Sequence, residues 1–396
     1  MSLAVGQGGA IACGTVPGGA PLRVAVVYHA WPHYREAVMR AMDRSEAVAY
    51  DFFGSGEALE GVGHTDMASV ARFVRAPFRR WGKLVWQPQA IRAAGDRRYQ
   101  AVILLADPNV APTWIAAALA RLRRKPVLFW GHGWLRPERA AKQTVRRAYF
   151  RLAQRFLVYA ERGKRLGAAT GYAAERITVV YNSLDVACAD AVIARIESGA
   201  LAASRPQALF AAPHRPLLIC TARLTAKCRF DLLLDAAALL ARQGRPVNVL
   251  LVGDGPERDN LARAAAELGV AVHFFGACHD EEVVGPLLYQ ADLTVSPGKI
   301  GLTAMHSLMY GTPAITHGDF DAQMPEVEAS EPGRTGAFFR RDDAADHAAT
   351  IADWLATAPP RAQVRQAARA AIHAKWTPQA QARIIETAVL EVAGRA

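Results

Sequence analysis

From Arg23 to His317 short β-branched runs alternate with helical stretches, and that alternation leaves few folds open. "RVAVVYHA" (23–30), "YQAVILLAD" (99–107), "KPVLFWG" (125–131) and "FLVYA" (156–160) read as buried strands. Stretches such as "EAVMRAM" and "APTWIAAALARL" between them have helical spacing. A second series runs through "RPLLICTARL" (215–224), "VNVLLVGDG" (247–255), "VAVHFFG" (270–276), "ADLTVSP" (291–297) and "TPAITH" (312–317). Strands that alternate with helices form parallel sheets covered on both faces. Two series therefore predict two doubly wound α/β domains. Ligands of such sheets bind at the carboxyl ends of strands, so two facing sheets place a site in the cleft between them.

The expected division is a flexible tail over residues 1–20, an N-terminal domain over 21–190, a linker over 191–213, and a C-terminal domain over 214–374. A last helix over 375–396 is expected to cross back to the N-terminal domain. The seam is read from "ALAASRPQALFAAPHRP", with three prolines and little strand character. The chain has 396 residues, enough for two ordinary domains, and its 52% apolar content supports a sizeable core. No apolar run reaches the roughly 18 residues of a membrane span. The first twenty residues lack a basic segment followed by a long apolar one, so they do not read as a signal peptide. Five scattered cysteines without a CxxC pair indicate neither a disulfide framework nor a zinc site, and a reducing cytoplasm is expected.

Three stretches carry candidate chemistry. In "TARLTAKCRFDLLLDAAALL", Arg223 and Lys227 lie four apart just after a strand, where two cations can be aimed at a diphosphate or remain ordinary surface charges. In "LLVGDGPERDNLARAA", Gly253 and Gly255 permit a tight turn into a helix whose N-terminus favours an anion. In "SPGKIGLTAMHSLMYGTP", Gly298 and Gly301 let backbone approach a ligand. Lys299 adds charge there, and a helix opens through Leu302 and Thr303. His306, a turn or more into that helix, can either pack or hydrogen-bond a sugar hydroxyl.

The order and spacing of these motifs resemble a known family. "ARLTAKC", "LLVGDGPERDNL", "VHFFGACHDEEVVGPLLYQADLTVSPG" and "GLTAMHSLMYGTPAITHGDF", followed by "MPEVE" and "GRTGAFF", are similar to the donor-binding half of family-4 retaining glycosyltransferases. "VVYHAWPHYREAVMRAM" and "VVYNSLD" resemble the family's first strand-helix and its strand before the linker. The resemblance implies a GT-B fold and a nucleotide-sugar held mainly by the C-terminal domain. It implies that Arg223 and Lys227 grip the donor diphosphate. It places the donor loop at Gly298 to Leu302, with Thr303 next to it, and the acidic "PE" at Glu326. In one respect the chain departs from the pattern. The family's two glutamates, seven residues apart, fall on Gly298 and His306. A histidine can still reach ribose hydroxyls, whereas glycine cannot replace a carboxylate on the donor sugar.

In the N-terminal half, "FWGHGW" places His132 after a strand, and the resemblance implies a catalytic or acceptor-side contact there. "YHAWPHYRE" offers His33 and Arg35 as acceptor-side candidates at the end of the first strand. Neither cofactor nor metal is expected, and "DFD" (319–321) is read as a loop. The implied reaction leaves the anomeric configuration unchanged without a carboxylate nucleophile. The two cations stabilise the departing diphosphate.

Charge adds a partner. Residues 1–200 hold 28 of 47 Lys and Arg but only 15 of 36 Asp and Glu, so the whole positive excess lies there. "RAPFRRWGKLVWQPQAIRAAGDRR" (75–98) interleaves Phe78, Trp81 and Trp86 with cations. "RPERAAKQTVRRAYFRLAQRFL" (136–157) reads as one helix with Val145, Tyr149, Leu152 and Phe156 on a stripe. Aromatics beside cations suit an anionic membrane surface. The expectation is a cytoplasmic enzyme on the inner leaflet, acting on a polyprenyl-diphosphate-linked or other glycan acceptor in exopolysaccharide, capsule or lipopolysaccharide assembly. A non-catalytic scaffold and a nucleotide-sugar epimerase are the alternatives. No nucleic-acid-binding motif accompanies the basic half, so nucleic acid is not an expected partner.

Overall fold

The computed structural model describes residues 20–57, 65–137, 140–201 and 205–394. All of the tail read at residues 1–20 except Ala20 lies outside the described residues. In chain order the strands of the first half are β1 (Leu22–Val27), β2 (Val48–Gly54), β3 (Phe73–Arg75), β4 (Arg79–Trp81), β5 (Leu84–Trp86), β6 (Ala101–Leu105), β7 (Val127–Trp130), β8 (Arg155–Val158) and β9 (Ile177–Val179). Those of the second half are β10 (Leu217–Thr221), β11 (Asn248–Val252), β12 (Ala271–Gly276), β13 (Leu293–Ser296), β14 (Ala314–His317) and β15 (Gly336–Phe339). The first sheet runs β3-β2-β1-β6-β7-β8-β9 and the second β12-β11-β10-β13-β14-β15, with parallel neighbours throughout. β4 and β5 form a separate antiparallel hairpin.

Burial explains why the strands are apolar without interruption. Val24 and Val26 enter one core cluster of the first domain, while Ala25 and Val27 enter the other. Leu218 and Cys220 likewise face one cluster of the second domain, and Leu217 and Ile219 the other. The period-two alternation of a strand thus feeds two cores, one on each sheet face. β2 did not stand out in the sequence because Asp51 interrupts its apolar run. That buried carboxylate is held by Arg23 (2.9 Å), Arg72 (2.8 Å) and the Tyr99 hydroxyl (2.7 Å). β3 and β9 have three residues each, too few for a pattern to show.

Two readings need correction. The boundary at residue 190 falls inside one continuous helix, Val186–Glu197. Its Val186, Ala189, Val192, Ile193 and Ile196 pack with the second domain's Leu287, Leu288 and Met305, so the helix belongs to that domain and residues 191–197 are not linker. The chain therefore changes domain between Val180, in the first core, and Val186, in the second. The stripe read through Val145, Tyr149, Leu152 and Phe156 is not one helix either, because the helix Ala140–Phe150 ends before Leu152 and Phe156 lies in β8. Tyr149 is fully buried and donates to the Leu105 carbonyl at 3.1 Å, whereas Val145 is exposed.

The last helix, Pro378–Val392, packs on the first domain, where Ala382, Ile385, Ala388 and Val389 join the cluster of Val24, Tyr50 and Met39. Ser183 and Gln381 hydrogen-bond at 2.7 Å where the two crossing segments meet. Among the described residues no helix is long and apolar enough to cross a membrane.

Candidate active site

Each sheet changes direction next to its first strand, and the segments that follow β1, β10 and β11 converge on one cavity of about 770 Å³ between the domains. This is the size and position of a small-molecule site. From the first domain come His33, Tyr34, Glu36 and Arg40. From the second come Thr221 to Arg223 at the end of β10 and Val252 to Gly255 at the end of β11. Cys278, His279 and Glu281 follow β12, and Leu302, Thr303 and His306 lie in the short helix Leu302–Met309. The His33 and His279 rings meet edge-on across the domains with centroids 5.5 Å apart.

Glycines set the floor of this cavity. A side chain at Gly253 would strike the Ala222 carbonyl, and one at Gly255 the Leu224 carbonyl. The loops after β10 and β11 therefore cross in direct backbone contact, closed by Leu224 N–H to Asp254 O at 2.9 Å. Arg223 projects from this crossing.

His306 does not stand alone. Its Nε2 lies 3.2 Å from the Glu281 carboxylate and its Nδ1 3.3 Å from the Thr221 hydroxyl. Tyr310 donates to the same carboxylate at 2.7 Å. Burial alone would raise the Glu281 carboxyl, but the bonds from His306 and Tyr310, with the nearby charge of His33, hold it below the ordinary range. Glu281 is therefore an ionised carboxylate on the cavity wall. No motif in the sequence singles Glu281 out, although its place just after a strand is a usable signal.

Of the residues singled out from sequence, His33, Arg223, Gly253, Leu302, Thr303 and His306 line the cavity. Lys227, Gly298, Lys299 and Gly301 do not line it. Gly298 donates its N–H to the Cys228 carbonyl at 3.0 Å, and a β-carbon there would fall on the Lys227 carbonyl. The loop of Lys227 thus occupies the space that a side chain at 298 would need. The loop over residues 298–301 is held by Gln323, which accepts from Ile300 N–H at 3.0 Å and donates to Thr316 Oγ1 at 2.8 Å. Lys299 is exposed.

His132, Arg35 and Glu326 form a second group at the domain interface. His132 lines a narrow crevice with Trp134, Arg162, Met324 and Glu328. His132 is exposed on the crevice side, yet desolvation by the protein around its ring, together with Arg35 and Arg146, pushes its pKa down to about 4. It is a neutral imidazole at pH 7. Arg35 is buried among aromatic rings, 4.8 Å from the Trp130 centroid and 4.9 Å from that of Tyr159. It does not line the cavity, because the 3-10 turn His33–Arg35 points it inward while His33 points out. Glu326 is buried and accepts from Asn182 Nδ2 at 2.8 Å, which ties the interdomain crossing to the second domain. Glu328 accepts from the N–H groups of Glu161 (2.9 Å) and Arg162 (2.7 Å), a carboxylate at the N-terminus of the helix Glu161–Ala169 in the opposite domain. The two aspartates of "DFD" are bound to arginines, Asp319 to Arg341 at 2.9 Å and Asp321 to Arg162.

Burial raises the Glu326 carboxyl, and the bond from Asn182 only partly offsets this. An acid raised in the fold binds more protons folded than unfolded, so stability falls as pH climbs from the ordinary carboxylate range through the raised value. Glu326→Gln keeps an acceptor for Asn182 without that penalty. It is expected to match the parent protein at pH 4 and to melt higher at pH 8. Equal melting curves across that range would refute the assignment.

Two facing doubly wound domains with a cavity at their strand ends are the architecture of the GT-B glycosyltransferases. Residues 23–187 match the model "Glycosyltransferase Family 4" and residues 204–371 the model "Glycosyl transferases group 1", one on each side of the cavity. The chain belongs to the family-4-like GT-B glycosyltransferases. It is 36% identical over 109 residues to a GDP-mannose-dependent alpha-(1-6)-phosphatidylinositol dimannoside mannosyltransferase of Mycobacterium tuberculosis, a stretch covering 27% of this chain and 28% of that protein. A 2-deoxystreptamine glucosyltransferase of Streptomyces kanamyceticus is 28% identical over 159 residues, 39% of each chain. Both matches span well under half of the relative's length. Among solved structures, Anabaena HepE in complex with UDP superposes with a TM-score of 0.67 at 16% identity, covering 94% of this chain and 100% of that one.

Proposed function

We propose that the chain transfers a sugar, with retention, from a nucleotide-sugar to a glycan acceptor carried on a polyprenyl diphosphate or comparable lipid. The observation that carries this reading is the cavity itself, with Arg223 at its wall and the crossed glycine loops at its floor. In this reading the second domain holds the nucleotide, Arg223 faces the diphosphate from the cavity wall, and Lys227 reaches it from farther along the same loop. The acceptor oxygen bonds to the anomeric carbon as the bond from that carbon to the phosphate oxygen breaks. The departing phosphate oxygen takes the acceptor proton on the same face. Charge builds on the diphosphate, where fixed cations stabilise it most. His132, neutral at working pH, offers one acceptor or one donor nitrogen to a sugar hydroxyl. No metal takes part in this scheme.

Glu281 fills the gap left at position 306. A carboxylate accepts from the 2′-hydroxyl of a ribose, as in other doubly wound nucleotide sites. Here that carboxylate stands opposite His306, which holds it in place. Glu281→Gln is expected to weaken nucleoside-diphosphate binding by about 10–100-fold, the range for a lost hydrogen bond to a charged group. The loss should shrink for the 2′-deoxynucleotide; an equal loss for both ligands would remove Glu281 from the ribose.

The first test of the whole reading is thermal unfolding with UDP, GDP, dTDP and their sugars. A ligand at 100 times its Kd adds about 2.7 kcal/mol. A shift with one base, followed by transfer from that base's sugars, supports the proposal and names the donor. A folded protein that shifts with none of them favours the scaffold reading, for which the occlusion of Gly298 by the Lys227 loop speaks. A free sugar or epimer formed without acceptor points to the epimerase instead.

A further inference from the structure

The hairpin β4–β5 is a built feature that the cavity does not use. Its register sets Arg79 opposite Trp86, Arg80 opposite Val85 and Trp81 opposite Leu84. Alternation then puts Arg79, Trp81, Leu84 and Trp86 on one face, with Arg80 and Val85 on the other. The second face is anchored: Val85 is buried, bridges to Val110 and donates to the Asn109 carbonyl at 3.0 Å. The first face is uncovered, with Trp81 60%, Leu84 55% and Trp86 39% exposed. Arg75, Arg79 and Lys83 are exposed around it, Arg80 is exposed on the opposite face, and no Asp or Glu occurs between residues 67 and 95.

We propose that this hairpin anchors the protein on an anionic lipid bilayer. Indole rings on a rigid two-stranded support favour the headgroup region of a bilayer, where an apolar body and a polar N–H are both accommodated. Cations with no acid among them favour anionic headgroups. The hairpin is also placed to matter. It is tied to the segment after β6, and at its base Phe78 packs on His29, just after β1, with centroids 5.4 Å apart. This is the strand end of the first domain that also supplies His33 to the cavity. Docking through Trp81 and Trp86 sets that end of the cleft against the bilayer. For the lipid-linked acceptor the inference rests on the proposed function; for the surface itself it rests on the hairpin alone.

The test is flotation of the full chain with phosphatidylglycerol–phosphatidylcholine vesicles and with phosphatidylcholine vesicles. The parent protein is expected to float with the anionic vesicles and to be released by high salt. Trp81→Ser with Trp86→Ser should lower partitioning at least about tenfold, from the apolar area no longer inserted. Arg79→Gln with Lys83→Gln should lower it about thirtyfold at low salt and little at high salt. Unchanged melting temperatures keep both variants readable. Undiminished binding of the tryptophan variant, equal binding of the parent to both vesicles, absence of vesicle binding, or tighter retention of single-stranded RNA each overturns the proposal. Nucleotide-induced melting shifts, measured on the same proteins, report separately on the cavity.

Discussion

Replacing Arg223 with alanine is expected to lower kcat for sugar transfer by about 10²–10³, the usual consequence of removing one fixed group that stabilises developing charge. Arg223 stands just past the C-terminal end of β10, where the crossing with the β11 loop fixes the backbone on which it is mounted. A leaving diphosphate gains charge as the glycosidic bond breaks, so a cation held there acts more on the transition state than on bound donor. Arg223→Lys should recover part of the loss, since it keeps the charge but not the planar fork. A change confined to KM would mean uniform binding, and Arg223 would then grip the donor without assisting bond cleavage. Unaltered kcat and KM would remove it from the reaction.

Gly298→Glu, which restores the residue that the family resemblance places there, is expected to damage the protein. The β-carbon alone would fall on the Lys227 carbonyl, and Gly298 N–H is bonded to the Cys228 carbonyl. Backbone cannot yield as a side chain does, so the cost should reach about 3 kcal/mol. That corresponds to about 6–12 °C in Tm for a domain of this size. If the fold survives by moving the loop, Lys227 moves with it and nucleotide affinity falls. Gly298→Ala should show the same stability loss in milder form. Higher activity with an unchanged Tm in Gly298→Glu would show that the loop does not rest on Gly298.

Much of this architecture was legible in the sequence. Uninterrupted apolar strands such as Val24–Val27 and Leu217–Cys220 announce parallel sheets because burial on both faces leaves no polar position. β2 was hidden by Asp51, whose partners Arg23, Arg72 and Tyr99 come from three other places in the chain. The helix Val186–Glu197 has no domain assignment that sequence alone can give, because its domain depends on which sheet it covers. The hairpin was visible only as a mixture of Trp and Arg. Pairing of β4 with β5 turned that mixture into one uncovered apolar face.

Order along the chain determined the two doubly wound domains, the strand-end loops and the basic first half, since each depends on neighbours in sequence. What only the tertiary structure decided is which side chains share the cavity. Glu281 reaches His306 from 25 residues away, and Asn182 reaches Glu326 from 144. Arg35 turns into an aromatic box two residues after His33, which faces the cavity. Gly298 has no room for a carboxylate because a loop seventy residues earlier in the chain, at Lys227 and Cys228, lies against it. The physical reason is common to all four. Hydrogen bonds, close packing and desolvation act over a few ångströms, and those distances are set by how the domains and their loops fold together.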